Sequence, residues 1–209
     1  MNLTYSISKK DRYYFNVYSD LLYSTEQVEI TNTSTIQGYG KVLYSDTYLG
    51  YLSTFLKNFR EDECSLIFSP TSPISSRMAS FIASEKQSST TQYLDSLSDF
   101  IATAVHPKFT LVDTVKKGVA YHHGKLPYHV QLLIEDGIRK KEIKTIVCTT
   151  TLLQGVNLPV QNIIIRNPNL YTIKRENSSK LSTYEIGNLR GRAGRLLKDF
   201  IGRTYILDE

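Results

Sequence analysis

No apolar run in the chain approaches the roughly 20 residues that a bilayer-spanning helix needs, and the opening MNLTYSISKKDRYY has no apolar signal-peptide core. No membrane is expected as a partner, and a cytoplasmic or nucleoid-associated location is. Cysteine occurs only twice, at Cys64 and Cys148, far apart and each within an apolar run. A disulfide is possible in principle, but two buried thiols in a reducing compartment are the expectation. No zinc-ligand spacing exists, so no metal site is expected on these residues. Missing too is the phosphate-cradling pattern GxxxxGK[ST]. Gly40-Lys41 and Gly124-Lys125 are the only Gly-Lys pairs, and neither has a glycine five positions before it. That absence excludes a self-contained P-loop site.

What is present fits one α/β domain with a proper core: 209 residues, 41% apolar and 22% charged. The net charge of +5 conceals an asymmetry. From Lys116 to Arg203, 16 Lys/Arg stand against 6 Asp/Glu, a balance of +10; the remaining residues hold 9 against 14, a balance of −5. The basic half suggests an anionic partner, with phosphates the first candidate, although a basic solvated surface would give the same count.

Residues 1–45 are rich in Tyr, Ser and Thr without a helical period, and read as extended segments and turns preceding a domain at 46–209. Tyr5, Tyr13, Tyr14, Tyr18 and Tyr23 could stack on bases, but tyrosine is common in strands and the structural reading is preferred. Beyond them the pattern is regular. Tyr48, Tyr51, Leu52, Phe55, Leu56 and Phe59 recur at helical spacing. The spacing predicts further helices from about Pro73, through Leu94–Ala104, over Pro127–Lys141 and over Tyr184–Leu197. Short apolar runs at 65–68, 119–121, 144–148, 162–165 and 203–207 read as strands. This alternation argues for a mostly parallel sheet covered on both faces, with function beyond the carboxyl ends of its strands.

Two strings carry chemistry. Residues 188–195, NLRGRAGR, place Arg192 and Arg195 three apart, on one face of a helix, with Gly191 and Gly194 allowing close backbone approach. Two guanidiniums so presented match the spread charge of a phosphoryl group in transfer. Residues 149–159, TTTLLQGVNLP, directly follow a buried strand. Small hydroxyls there can donate to a phosphate backbone, Gly155 permits a tight turn, and Asn157 can bond a sugar hydroxyl or backbone. An arginine pair alone, or a turn rich in Thr, Gly and Asn alone, would signify little. His122-His123 has no Asp, Glu or Cys cluster beside it in sequence, and adjacent strand residues point to opposite faces. A structural or backbone-contacting role is expected there.

Together the two strings resemble motifs V and VI of superfamily 2 helicases, in their second RecA-like domain. Residues 66–72, LIFSPTS, resemble motif IV, and 118–127, GVAYHHGKLP, the segment between IV and V. The latter string, with GVNLP and GRAGR, is similar to the branch of exosome-associated RNA helicases and archaeal repair helicases. The resemblance covers about residues 64–207 in motif order. It implies a P-loop-NTPase-like fold lacking the P-loop, with Arg192 and Arg195 as arginine fingers on ATP. It further implies Gly155, Asn157 and Asn188 near the nucleotide, and Ser69, Thr71, Thr149 and Thr150 on the nucleic-acid backbone. Motif VI customarily opens with Gln; Asn188 is one methylene shorter, which puts its contacts in doubt. Asp62-Glu63-Cys64-Ser65 mimics a DExx box, but the acids precede the strand where the true motif ends one.

On this reading ATP and Mg²⁺ would be bound mainly by a separate N-terminal P-loop RecA-like domain, in cis or as a subunit, and the other partner would be single-stranded DNA or RNA. The chain alone is expected to hydrolyse ATP negligibly, since fingers without a phosphate-binding loop have nothing to act upon. A non-catalytic nucleic-acid-binding scaffold and a protein-interaction domain with a basic face remain as alternatives.

Overall fold

In the computed structural model the described residues are 2–7, 14–19, 25–29, 44–87, 90–149, 158–166, 172–174, 177–179 and 202–207. Among them the elements run β1 (Asn2–Ile7), β2 (Tyr14–Ser19), β3 (Thr25–Glu29), α1 (Asp46–Leu56), β4 (Ser65–Phe68), α2 (Ser72–Ser84), α3 (Gln92–Ala104), α4 (Thr110–Val115), β5 (Val119–His122), α5 (Tyr128–Arg139), β6 (Thr145–Cys148), β7 (Asn162–Ile165), β8 (Thr172–Lys174), β9 (Asn177–Ser179) and β10 (Gly202–Ile206).

One eight-stranded sheet has the order β3-β2-β1-β10-β7-β4-β6-β5. From β5 to β1 all neighbours are parallel; β2 and β3 add on as an antiparallel meander. Every residue of β4, β5, β6 and β7 is buried, so both faces of the central sheet are covered, as the continuous apolar runs required. Strands β8 and β9 form a separate two-stranded ladder.

The residues read as extended at the N-terminus therefore supply three strands of the same sheet. Strand β1 runs parallel to β10, with Asn2 opposite Gly202 and Ser6 opposite Ile206. Across that pair Tyr5 stacks on Tyr205, ring centroids 4.8 Å apart at 15°. Phe55 and Phe59, from α1 and the turn after it, close on the same Tyr205 ring at 5.3 and 5.1 Å. Tyr5 thus sits in an aromatic cluster tying β1 and β10 to α1.

Local chemistry starts the helices where their periodicity begins. Ser45, Thr71 and Thr91 are extended N-caps whose hydroxyls accept from Tyr48, Ile74 and Leu94 N–H respectively, and Pro73 occupies the first turn of α2. The inner faces meet in one core that includes Tyr48, Leu52, Phe68, Met78, Ile101 and Ile134. Cys64 and Cys148 are both buried and not bridged to one another; burial pushes the Cys148 thiol far above its ordinary range. Among the described residues no helix is long and apolar enough to cross a membrane.

Candidate nucleic-acid interface at the carboxyl rim

Parallel pairing brings the carboxyl ends of the central strands to one edge. Phe68 and His122 both lie opposite Cys148 in register. The ladder continues one step beyond: Ser69 N–H donates to Cys148 O at 2.8 Å, Thr149 N–H to His122 O at 3.2 Å, and Leu207 N–H to Ile165 O at 3.0 Å. Ser69, His123, Thr149, Arg166 and Leu207 are therefore neighbours along a single rim, where open parallel sheets bind their ligands.

Ser69, within the string expected to form motif IV, and Thr149, which opens the one expected to form motif V, follow the adjacent strands β4 and β6 at this rim. Ser69 is fully buried, and its hydroxyl donates to Thr71 O at 3.1 Å. It braces the β4–α2 turn while Thr71, half-buried, caps the helix. Thr149 keeps 8% of its surface exposed. The described chain resumes at Leu158 and is pinned at the opposite edge, where the Gln161 side-chain carbonyl accepts from Cys64 N–H at 2.7 Å. Thr150, Gly155, Asn157, Asn188, Arg192 and Arg195, with the helix expected over 184–197, lie outside the described residues.

The adjacent histidines take different environments. His122 is buried, its Nε2 3.4 Å from Glu135 Oε1 but without the alignment of a hydrogen bond. Burial foremost, then the neighbouring His123, lower its pKa to about 4. At neutral pH the contact is thus imidazole to carboxylate rather than an ion pair, and Glu135 has its cation in Arg139 at 3.3 Å. His123 stacks on Tyr121 at 5.6 Å, and its Nδ1 accepts from Lys125 N–H at 3.3 Å, closing the turn of the GKLP string. The His123 ring thus packs on Tyr121 and contacts backbone, whereas neither ring nitrogen of His122 has a hydrogen-bond partner among the described residues. No group of three or more His, Cys, Asp or Glu among the described residues could hold a metal ion.

One rim residue escaped the sequence reading. Arg166, directly after β7, is 3% exposed, its guanidinium 4.4 Å from the Tyr48 ring centroid and 5.4 Å from that of Tyr44. This cation–π clasp holds the start of α1 against the rim. The only signal available was its position, a cation following a buried apolar strand.

With the strands, their order and the rim in place, comparison with known proteins is decisive. The helicase conserved C-terminal domain family matches residues 48–197. The chain belongs to that family. Its parallel sheet is accordingly the RecA-like α/β sheet of a superfamily 2 helicase C-terminal domain. Over 98 residues it is 41% identical to the ATP-dependent DNA helicase Hel308 of Methanococcus vannielii, a stretch that is 47% of this chain and 13% of that protein. Identity to the Hel308 of Methanocella arvoryzae is 35% over 97 residues, 46% of this chain and 13% of the relative. Anti-bacteriophage protein B of Escherichia coli K12 is 25% identical over 111 residues, 53% and 14% of the two chains. The helicase C-terminal domain thus matches only a small part of the length of these relatives.

Proposed function

We propose that this chain is the C-terminal motor domain of an ATP-dependent helicase acting on single-stranded nucleic acid, DNA in the first instance. The Hel308 relatives are ATP-dependent DNA helicases by name, which favours DNA over RNA. The observation that carries the reading is the in-register pairing of β4 with β6. It sets the Thr71 and Thr149 segments side by side on the rim of a sheet whose family is established.

In this proposal Thr71, Thr149 and Thr150 offer hydroxyls to successive phosphates of the strand, which position it without reading its sequence. Ser69 orients Thr71. Gly155, Asn157 and Asn188 approach the nucleotide, and Arg192 and Arg195 bring two guanidiniums toward its terminal phosphate. The described rim has no carboxylate trio for Mg²⁺, and the sequence has no phosphate-binding loop. Those contacts would belong to a separate P-loop domain. ATP, when bound there, supplies the free energy that biases closed against open arrangements of the two domains.

The test combines this chain with its P-loop domain and measures ATP turnover with and without single-stranded DNA. Arg192→Ala is expected to lower kcat by about 10³-fold, the scale of a lost arginine finger, with DNA affinity retained. Unchanged turnover in that variant would leave a non-catalytic scaffold as the better account. Strand-stimulated hydrolysis by the chain alone would refute the division of labour outright.

A further inference from the structure

At the other end of the strands the molecule has a cleft of about 700 Å³, lined where β4, β5 and β6 begin by Ser65, Gly118 and Thr145. Six cations stand on its wall against four acids, Glu61, Glu63, Glu85 and Glu142. Lys57, Lys86, Lys117, Lys141 and Lys144 line it, and none forms an ion pair among the described residues. Two of the acids are engaged already, Glu63 with Arg203 and Asn162, both at 2.9 Å, and Glu142 with the Thr91 hydroxyl at 2.7 Å; Glu61 and Glu85 are exposed to solvent. Arg60, also on the wall, is taken up by Asp62.

Lys86 is the focus. It is half-buried, and its ammonium donates to the buried Thr145 hydroxyl at 3.1 Å, a neutral partner that leaves the charge uncompensated. Burial foremost lowers its pKa; the nearby Cys64 raises it, and the like charge of Lys144 lowers it further. A desolvated ammonium with a second lysine beside it is relieved by an incoming anion.

We propose that this amino-edge cleft binds a phosphate-bearing anion, received by Lys86 and Lys144 above the Thr145 hydroxyl. Phosphate suits the site better than a single carboxylate. Five lysines line the cleft, and lysine is a recurrent phosphate binder through charge-assisted hydrogen bonds. The volume lies within the roughly 300–1,000 Å³ of small-ligand pockets, enough for a nucleotide-sized molecule. Ile82 and Leu94 on the wall offer apolar contact to the remainder of such a ligand. The cleft lies at the amino ends of strands whose carboxyl ends form the rim, so the two sites are separate.

Calorimetric titration of the 209-residue chain with pyrophosphate tests this. One saturable site is expected, weakened at least about tenfold in Lys86→Gln and in Lys144→Gln, the loss that a charge-assisted hydrogen bond implies. Lys108→Gln, an exposed lysine outside the cleft, should bind as the parent does. Displacement of pyrophosphate by a single-stranded oligonucleotide would identify a strand as the source of the phosphate; absence of displacement would identify a small molecule. Circular dichroism melting establishes that the variants are folded, and should Lys86→Gln not fold, Lys144→Gln and Lys117→Gln carry the test. The proposal is overturned by parental affinity in the folded lysine variants, or by no saturable binding at millimolar pyrophosphate.

Discussion

At the scale of single residues, the rim shows how a motif divides its work between holding shape and touching a ligand. Ser69 and Thr71 sit two apart, yet one hydroxyl is sealed inside the turn and the other caps a helix. Thr71→Ala is therefore expected to cost about 1 kcal/mol of stability through the lost cap, with Thr71→Ser close to neutral, as read from urea unfolding midpoints. His122 makes a second residue-scale case. Its pKa falls from 6.5 to about 4 on folding, so between those values the unfolded chain takes up the proton and the folded chain does not. The stability tied to this neutral ring is fully present above pH 6.5 and is lost as the pH falls through about 4, a change of roughly 3 kcal/mol. His123 and Asp136 also respond to acid, so the quantity to measure is the difference between parent and His122→Asn in unfolding free energy at pH 7 and pH 4. A parent that loses no more stability than the variant over that interval would show that the ring is not held neutral.

At the scale of elements, α5 depends on close approach. A Cβ at Gly137 would lie 2.7 Å from Ile143 Cδ1 and 3.3 Å from Tyr93 Cε1, and Ile143 is wholly buried. Alanine would gain up to about 1 kcal/mol in helix propensity, but overpacking typically costs about 1–3 kcal/mol. Gly137→Ala should be net destabilising by about 1 kcal/mol, and a thermal midpoint at or above the parent's would contradict the packing account. Such features explain what could be read in advance. The runs at 65–68 and 162–165 were legible as strands because burial on both faces leaves a continuous apolar string, and α3 because Leu94, Leu97 and Ile101 repeat at helical spacing. The six-residue α4 has too little length for a period. Residues 2–7 and 14–19 were legible as extended, but their membership of the sheet was not, because the pairing of β1 with β10 joins positions about 200 residues apart. Nor could sequence show that Ser69 is sealed in, since burial of a hydroxyl depends on what packs over it. Arg166 was passed over for a related reason: its partners Tyr44 and Tyr48 come from a distant part of the chain.

At the scale of the whole molecule, the charge division in the sequence meets the polarity of the sheet. Charge and hydroxyl contacts on the rim should separate in their dependence on salt. A strand held by three to five neutralised phosphates gives a slope of log affinity against log salt of about −2 to −3.5, since each single-strand phosphate contributes about −0.7. Thr149 carries no charge, so Thr149→Val should lower affinity for single-stranded DNA by roughly threefold to tenfold, the range of one hydrogen bond, and leave the slope unchanged. Lys125 is exposed in the turn after β5, next to His123. Lys125→Gln should both weaken binding and flatten the slope by about 0.7 if the strand passes this end of the rim. Fluorescence anisotropy with a labelled oligonucleotide at several salt concentrations separates the two effects. Were Thr149→Val to change the slope, or both variants to bind as the parent does, the strand would have to follow a path other than the carboxyl rim.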